Sequence, residues 1–155
     1  MSFRISGLDP REFSHLYGLS NERLAELGAR RVVADRRPGY PDRIELRDLE
    51  VGESALLVNY VHQPADTPFR ASHAIFVREG AVDRCVAVDE ILEVMRTRAI
   101  SLRVFDHAHM MVDADLLEGT LLDAAIERHL ARPEVAYLQA HYATRGCYAA
   151  RIERA

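Results

Sequence analysis

Residues 54–61, SALLVNYV, form a near-continuous apolar run bounded by turn residues, and no other stretch constrains the fold as strongly. Alternation puts Leu56, Val58 and Tyr60 on one side and Leu57, Asn59 and Val61 on the other. With both sides this apolar, the spacing predicts a central strand covered on both faces. A second run, HAIFVR at 73–78, follows across a loop at 62–72 that contains Pro64 and Pro68, and Glu79-Gly80 stops it. The chain is therefore expected to organise itself around residues 54–78.

The other elements are read from caps and breakers. Asp9 followed by Pro10 predicts a short helix over 10–17. Ser20 opens a second helix, with Leu24 and Leu27 inward and Gly28 as a left-handed cap. Strands are expected at 30–35, 43–46, 85–88, 101–106 and 110–113, the last two around an HAH turn. Asp89 is expected to cap a helix with Ile91, Leu92, Val94 and Met95 on its apolar side. From Thr120, apolar residues through Leu130 fall at helical spacing, Thr120 with Asp123 resembles a capping box, and Pro133 ends the pattern. At the C-terminus a three-residue loop, Thr144-Arg145-Gly146, aligns the apolar sets of two strands and places Gln139 opposite Arg151 and His141 diagonal to Cys147. The expected fold is α+β: a mostly antiparallel β-sheet with one long helix (about 120–131) on one side, small N-terminal helices and a C-terminal β-hairpin. At 155 residues and 48% hydrophobic, the chain is expected to be a single domain over 1–155.

All twenty basic residues are arginine. Without lysine, the chain has no Walker-type phosphate loop, Schiff-base chemistry or lysine general base. A net charge of −4 gives no basic field for nucleic acid. No run approaches the ~20 apolar residues that span a bilayer, and the N-terminus lacks a signal-peptide core, so no membrane association is expected. Cys85 and Cys147 are too isolated for a disulfide framework. A cytoplasmic protein is the plain expectation.

Four constellations could carry chemistry. His62, Asp66 and His73 supply the two imidazoles and a carboxylate that zinc or iron(II) accept, although H-x3-D-x6-H fits no established ligand spacing. Read structurally, both histidines bond to backbone and Asp66 caps a turn. His107 and His109, with Asp113 and Asp115 nearby, form an H-x-H pair whose place at a turn spoils its geometry. His141 with Cys147 could form an imidazole–thiolate dyad; no Asn or Asp is placed to orient the ring, and Gln139 on the same face is the candidate helper. Arg70 and Arg78 flank the His73 strand, with Arg43 and Arg151 expected on neighbouring strands; converging guanidinium groups suit a carboxylate or phosphate. Tyr60, Phe69, Phe76, Phe105, Met110 and Met111 read as packing.

The runs RRPGYPDRIELRDLEVGE, HQPADTPFRASHAIFVREGAV, MMVDADLLEG and RGCYAARIER resemble a bacterial family catalogued as domain of unknown function 1203. The resemblance covers essentially the whole chain. It implies one compact bacterial domain without an assigned activity, substrate or cofactor, so no catalytic residue carries over.

Three functional readings follow. The first is a small anionic ligand bound by His62, Arg70, His73 and Arg78 where the 62–73 loop meets the C-terminal hairpin. The second is an enzyme using that loop as a metal site, or Cys147 and His141 as nucleophile and base. The third is a homodimeric module that presents a sheet face or edge strand. No cofactor is indicated, and whether the protein is an enzyme stays open at this point.

Overall fold

The computed structural model describes residues 1–155 and arranges nine strands in two antiparallel sheets. In chain order the elements are β1 (Phe3–Ser6), α1 (Asn21–Glu26), β2 (Arg30–Val33), β3 (Ser54–Gln63), β4 (Ala71–Arg78), β5 (Val86–Val88), α2 (Glu93–Arg96), β6 (Ala99–Asp106), β7 (Met111–Glu118), α3 (Leu122–Leu130), β8 (Val135–Tyr142) and β9 (Cys147–Arg154). The larger sheet has the order β5-β1-β9-β8-β6-β7, the smaller one β2-β3-β4.

The apolar run at 54–61 does become the central strand of a sheet, extended to Gln63, but it is not covered on both faces, since Asn59 and Val61 are exposed. A bulge between Tyr60 and Gln63 turns the far end of β3, which carries His62 and Gln63 to the β8 side chains of the larger sheet.

The expectation of one sheet under a long helix does not hold. The helical stretch after β7 begins with a 3-10 turn, Gly119–Leu121, and only nine residues, Leu122–Leu130, are α-helical. The Gly119 amide donates to Arg98 O at 2.8 Å, and a side chain on Gly119 would collide with the Met95 carbonyl. This close approach holds the first turn against the end of α2. The box of Thr120 and Asp123 does not form; Asp123 accepts from Ala124 N instead.

Other elements shift too. The 10–17 segment is two 3-10 turns, Pro10–Glu12 and Ser14–Leu16, with Asp9 capping the first. Ser20 caps α1 through Arg23 N, and Gly28 has φ +74°. Asp89 sits at φ +54°, and its carboxylate accepts from Phe3 N and Ser2 Oγ rather than capping α2. Residues 43–46 form no strand; the segment is tied down by isolated bridges, Pro41 to Asp48 and Asp42 to Phe76. The hairpin register holds away from the turn, with Gln139 opposite Arg151. A bulge between Ala140 and His141 then moves the pairing by one, so that Tyr142 faces Cys147 and His141 faces Tyr148.

Two cores result. Nineteen buried residues lie between the larger sheet and the α2–α3 side, among them Leu102, Leu122, Ile126, Leu138 and Ile152. Twelve more lie between the N-terminal turns, α1 and the smaller sheet, and Tyr148 of β9 belongs to this second group. Full burial of one aliphatic side chain contributes roughly 1.5–3 kcal/mol, so each group is large enough to hold its own layer. Tyr148 joins them. No helix is long and apolar enough to cross a membrane.

Candidate functional site

A cavity of about 500 Å³ opens where β4, residues 97–99, the 39–43 segment and the β8–β9 turn come together. Its charged lining is Arg43, Arg98 and Arg145 with His73 beside them, and no aspartate or glutamate lines it. Tyr142 and Cys147 complete the polar part; Leu57 and Ile75 lie on its apolar flank.

Local sequence explains how these groups arrive. Pro38, Gly39 and Pro41 preclude regular structure, and Asp42 then anchors the segment. Its carboxylate, fully buried, accepts from the amides of Ile44, Glu45 and Arg78. Burial pushes the Asp42 carboxyl up from its ordinary value, and the three amides act against that. The next residue, Arg43, is thereby turned inward and is 1% exposed. Arg43 Nε donates to Tyr148 O at 2.8 Å, Nη1 to Pro41 O, and Nη2 to Cys147 Sγ at 3.0 Å. It has no carboxylate partner. An isolated buried charge is costly, and here carbonyls, the sulfur and the Tyr142 ring, 5.1 Å from the guanidinium carbon, offset that cost.

Arg98 approaches the same ring, also at 5.1 Å, while forking onto Asp48 at 2.7 and 2.9 Å. The Tyr142 hydroxyl is the one buried side-chain polar atom without a hydrogen-bond partner. Burial pushes its pKa up to about 12, so at neutral pH it keeps a proton to donate. Arg145 sits in the β8–β9 turn, exposed and without a hydrogen bond or ion pair. The turn is closed by Gly146 at φ +78°, whose amide donates to Tyr142 O at 2.8 Å.

A second polar cluster lies between the sheets. His62 Nδ1 is 2.9 Å from Gln139 Oε1, and the Gln139 amide nitrogen donates to His62 O at 3.0 Å. His141 Nε2 is 3.1 Å from the same Oε1, and its Nδ1 is 3.1 Å from Gly146 O. The His62 ring stacks on Tyr148 at 5.5 Å. Both acceptors of His141 are oxygens that cannot donate, so a neutral ring satisfies one of them only. Turning the Gln139 amide over would set its oxygen against the His62 carbonyl. Burial, then the nearby Arg103, hold the His141 pKa down at about 3; burial also lowers that of His62. Both rings are neutral at pH 7.

The residues expected to form one anion site are dispersed. His73 lines the cavity, with Nδ1 2.8 Å from Ala74 O. His62 belongs to the other cluster. Arg70 is exposed and donates to Pro64 O. Arg78 pairs with Glu53 at 3.0 Å and Glu45 at 3.3 Å. Arg43 reaches the cavity, whereas Arg151 lies 3.9 Å over the Tyr137 ring. Asp66 stays exposed in the loop, and no three His, Cys, Asp or Glu groups are placed to hold a metal ion, so His62, Asp66 and His73 do not meet. His141 and Cys147 do not meet as a dyad either, because the sulfur turns to Arg43 and the ring to Gln139 and Gly146. His107 and His109 part at their turn, to Pro133 O at 3.2 Å and Tyr137 Oη at 2.8 Å. Asp113 pairs with Arg132 and Asp115 with Arg128 and His129.

Sequence reasoning missed Arg98, Arg145 and Tyr142. Arg98 precedes β6 while Tyr142 and Arg145 lie at the β8–β9 turn, and no spacing connects either place to position 43.

A family model described as "Protein of unknown function (DUF1203)" matches residues 39–154, a span that contains every residue lining the cavity. No curated protein and no solved structure matches the chain.

Proposed function

We propose that this chain, which belongs to the DUF1203 family, binds a small organic anion in the cavity between β4 and the β8–β9 turn. One observation carries the reading: three arginines and no acid surround a space of ligand size. Arg145 supplies an uncommitted guanidinium fork for a carboxylate or phosphate. Arg43, buried without a carboxylate, adds a positive field that falls off slowly in so dry a setting. Leu57, Phe76 and the Tyr142 ring give the rest of the ligand an apolar wall. Two free thiols fit a reducing compartment, the bacterial cytoplasm.

Thermal unfolding at constant ionic strength, with phosphate, sulfate and small mono- and dicarboxylates added in turn, tests the reading. A ligand at one hundred times its Kd stabilises by about 2.7 kcal/mol, so at least one of these anions should raise Tm, and Arg145→Ala should remove the rise without lowering the basal Tm. If none of them shifts Tm relative to chloride, or if Arg145→Ala leaves the shift unchanged, the reading is wrong.

A further inference from the structure

The cavity contains a group that simple anion binding does not use. Cys147 Sγ lies on its wall, partly exposed, and takes a hydrogen from Arg43 Nη2 at 3.0 Å. A guanidinium gives hydrogens and takes none, so the sulfur is the acceptor, a role that a thiolate fills better than a thiol. Nucleophilic cysteines characteristically sit in such positive, partly open surroundings. The partner of Arg43 could have been a carboxylate, as it is for Arg31, Arg47 and Arg98 elsewhere in the fold. Here the chain supplies sulfur.

The second observation is independent of the cysteine. Tyr142 lines the same cavity, and its hydroxyl, fully buried, has no partner and holds its proton at neutral pH. A hydrogen-bond donor left unmatched in a buried position is costly, and a ligand oxygen would match it. Cys85, by contrast, lies away from the cavity, beside Glu90, and burial holds its thiol in the protonated form.

We propose that Cys147 is a nucleophile acting on small acids that carry an electrophilic carbon, with Arg145 taking the acid group and Arg43 positioning the sulfur. The proposal rests on the anion-binding reading above. In the step, the Cys147 proton leaves to solvent and the sulfur lone pair attacks the electrophilic carbon. The S–C bond forms as the bond from that carbon to its leaving group breaks, and the leaving group departs with the electron pair.

Iodoacetate and iodoacetamide test this directly, because they share the reacting carbon and the iodide leaving group and differ in charge. Native protein is treated with each reagent, and alkylation of Cys147 and Cys85 is followed by peptide mass spectrometry. Clefts of one sign raise rates with opposite charges by about 10–1,000-fold. The iodoacetate-to-iodoacetamide rate ratio should therefore be at least about tenfold higher at Cys147 than at Cys85. Arg145→Ala, an exposed change, should bring the two ratios together, and phosphate should protect Cys147 from iodoacetate. Arg43→Gln should slow both reagents at Cys147, with partial recovery in Arg43→Lys, which keeps the charge.

A Cys147 that is slow with both reagents, in a protein that phosphate or a carboxylate still stabilises thermally, overturns the nucleophile and leaves the anion site standing. A Cys147 that reacts with both reagents at the same ratio as Cys85, in a protein that no anion stabilises, overturns the acid substrate together with the binding reading.

Discussion

At the residue scale, His141 shows how hydrogen-bond inventory translates into a pH response. Both its nitrogens face oxygen acceptors, yet burial and Arg103 keep the ring neutral down to about pH 3. In the unfolded chain the same imidazole titrates near its ordinary 6.5. Below that pH the unfolded state binds the extra proton, so stability is full above 6.5 and is lost as the pH falls toward 3. His62, also held down by burial, acts in the same direction. Glu53 and Glu79, held at about 2 chiefly by Arg47 and Arg31, begin to contribute only below about 4.5. Between pH 6.5 and 4.5 these two histidines therefore lower stability as the pH falls, opposed by Glu12 and Asp42, whose carboxyls burial pushes up. Urea unfolding at several pH values there should show a slope of up to about 1.4 kcal/mol per pH unit for each histidine. His141→Asn should flatten it; an unchanged slope would show that another group titrates.

Asp42 gives a second prediction at this scale. Its carboxylate accepts three amides while fully buried. In Asp42→Asn one of the carboxylate oxygens becomes an amide that donates toward those donors. A loss of about 1–3 kcal/mol in denaturant-measured stability is expected, with weaker anion binding because Arg43 is no longer held in place. A variant as stable as the parent would mean that the amides find other partners.

At the scale of elements, what could be read from the sequence was what depended on near neighbours. Alternation located β3 and β4, Ser20 and Gly28 bounded α1, and the match of apolar sets fixed Gln139 opposite Arg151. Features set by distant contacts were not legible. The periodicity from Thr120 to Leu130 carries no sign that Gly119 must press against Met95, which keeps the first turn 3-10 and the α-helix short. The bulge after Ala140 likewise has no local signature, although it decides that His141 faces Tyr148 and frees Cys147 for Arg43. Gly119→Ala sets a Cβ against backbone rather than against a movable side chain. It should destabilise by about 2–4 kcal/mol, within the tail of single-substitution effects, which thermal unfolding would show as a lower Tm. Gly80→Ala, where space is open but φ is +92°, should cost less. A reversed order would place the strain at the turn.

At the scale of the molecule, the two sheets depend on each other. Tyr148 leaves the larger sheet to pack in the core of the smaller one, and Arg43 binds its carbonyl from the 39–49 segment. Calorimetry should therefore show one transition, with equal calorimetric and van't Hoff enthalpies; two transitions would mean that the layers unfold separately. The same interdependence explains why the site was hard to foresee. Positions 43, 73, 98, 142, 145 and 147 meet only when both sheets have formed, and His62 and His141 are absorbed by the contact between those sheets.

The outer strand β7 pairs only with β6, and it leaves Val112 and Leu116 exposed along its length. A bare apolar edge of eight residues would be a template for polymerisation. Asp113, Asp115 and Glu118 lie along that same strand, Asp113 and Asp115 in ion pairs with Arg132 and Arg128, so a second copy docking there would have to accommodate a row of charged groups. The carboxylates thus act as a guard against fibre growth, and acidification that protonates them should turn a dispersed protein into one that scatters light.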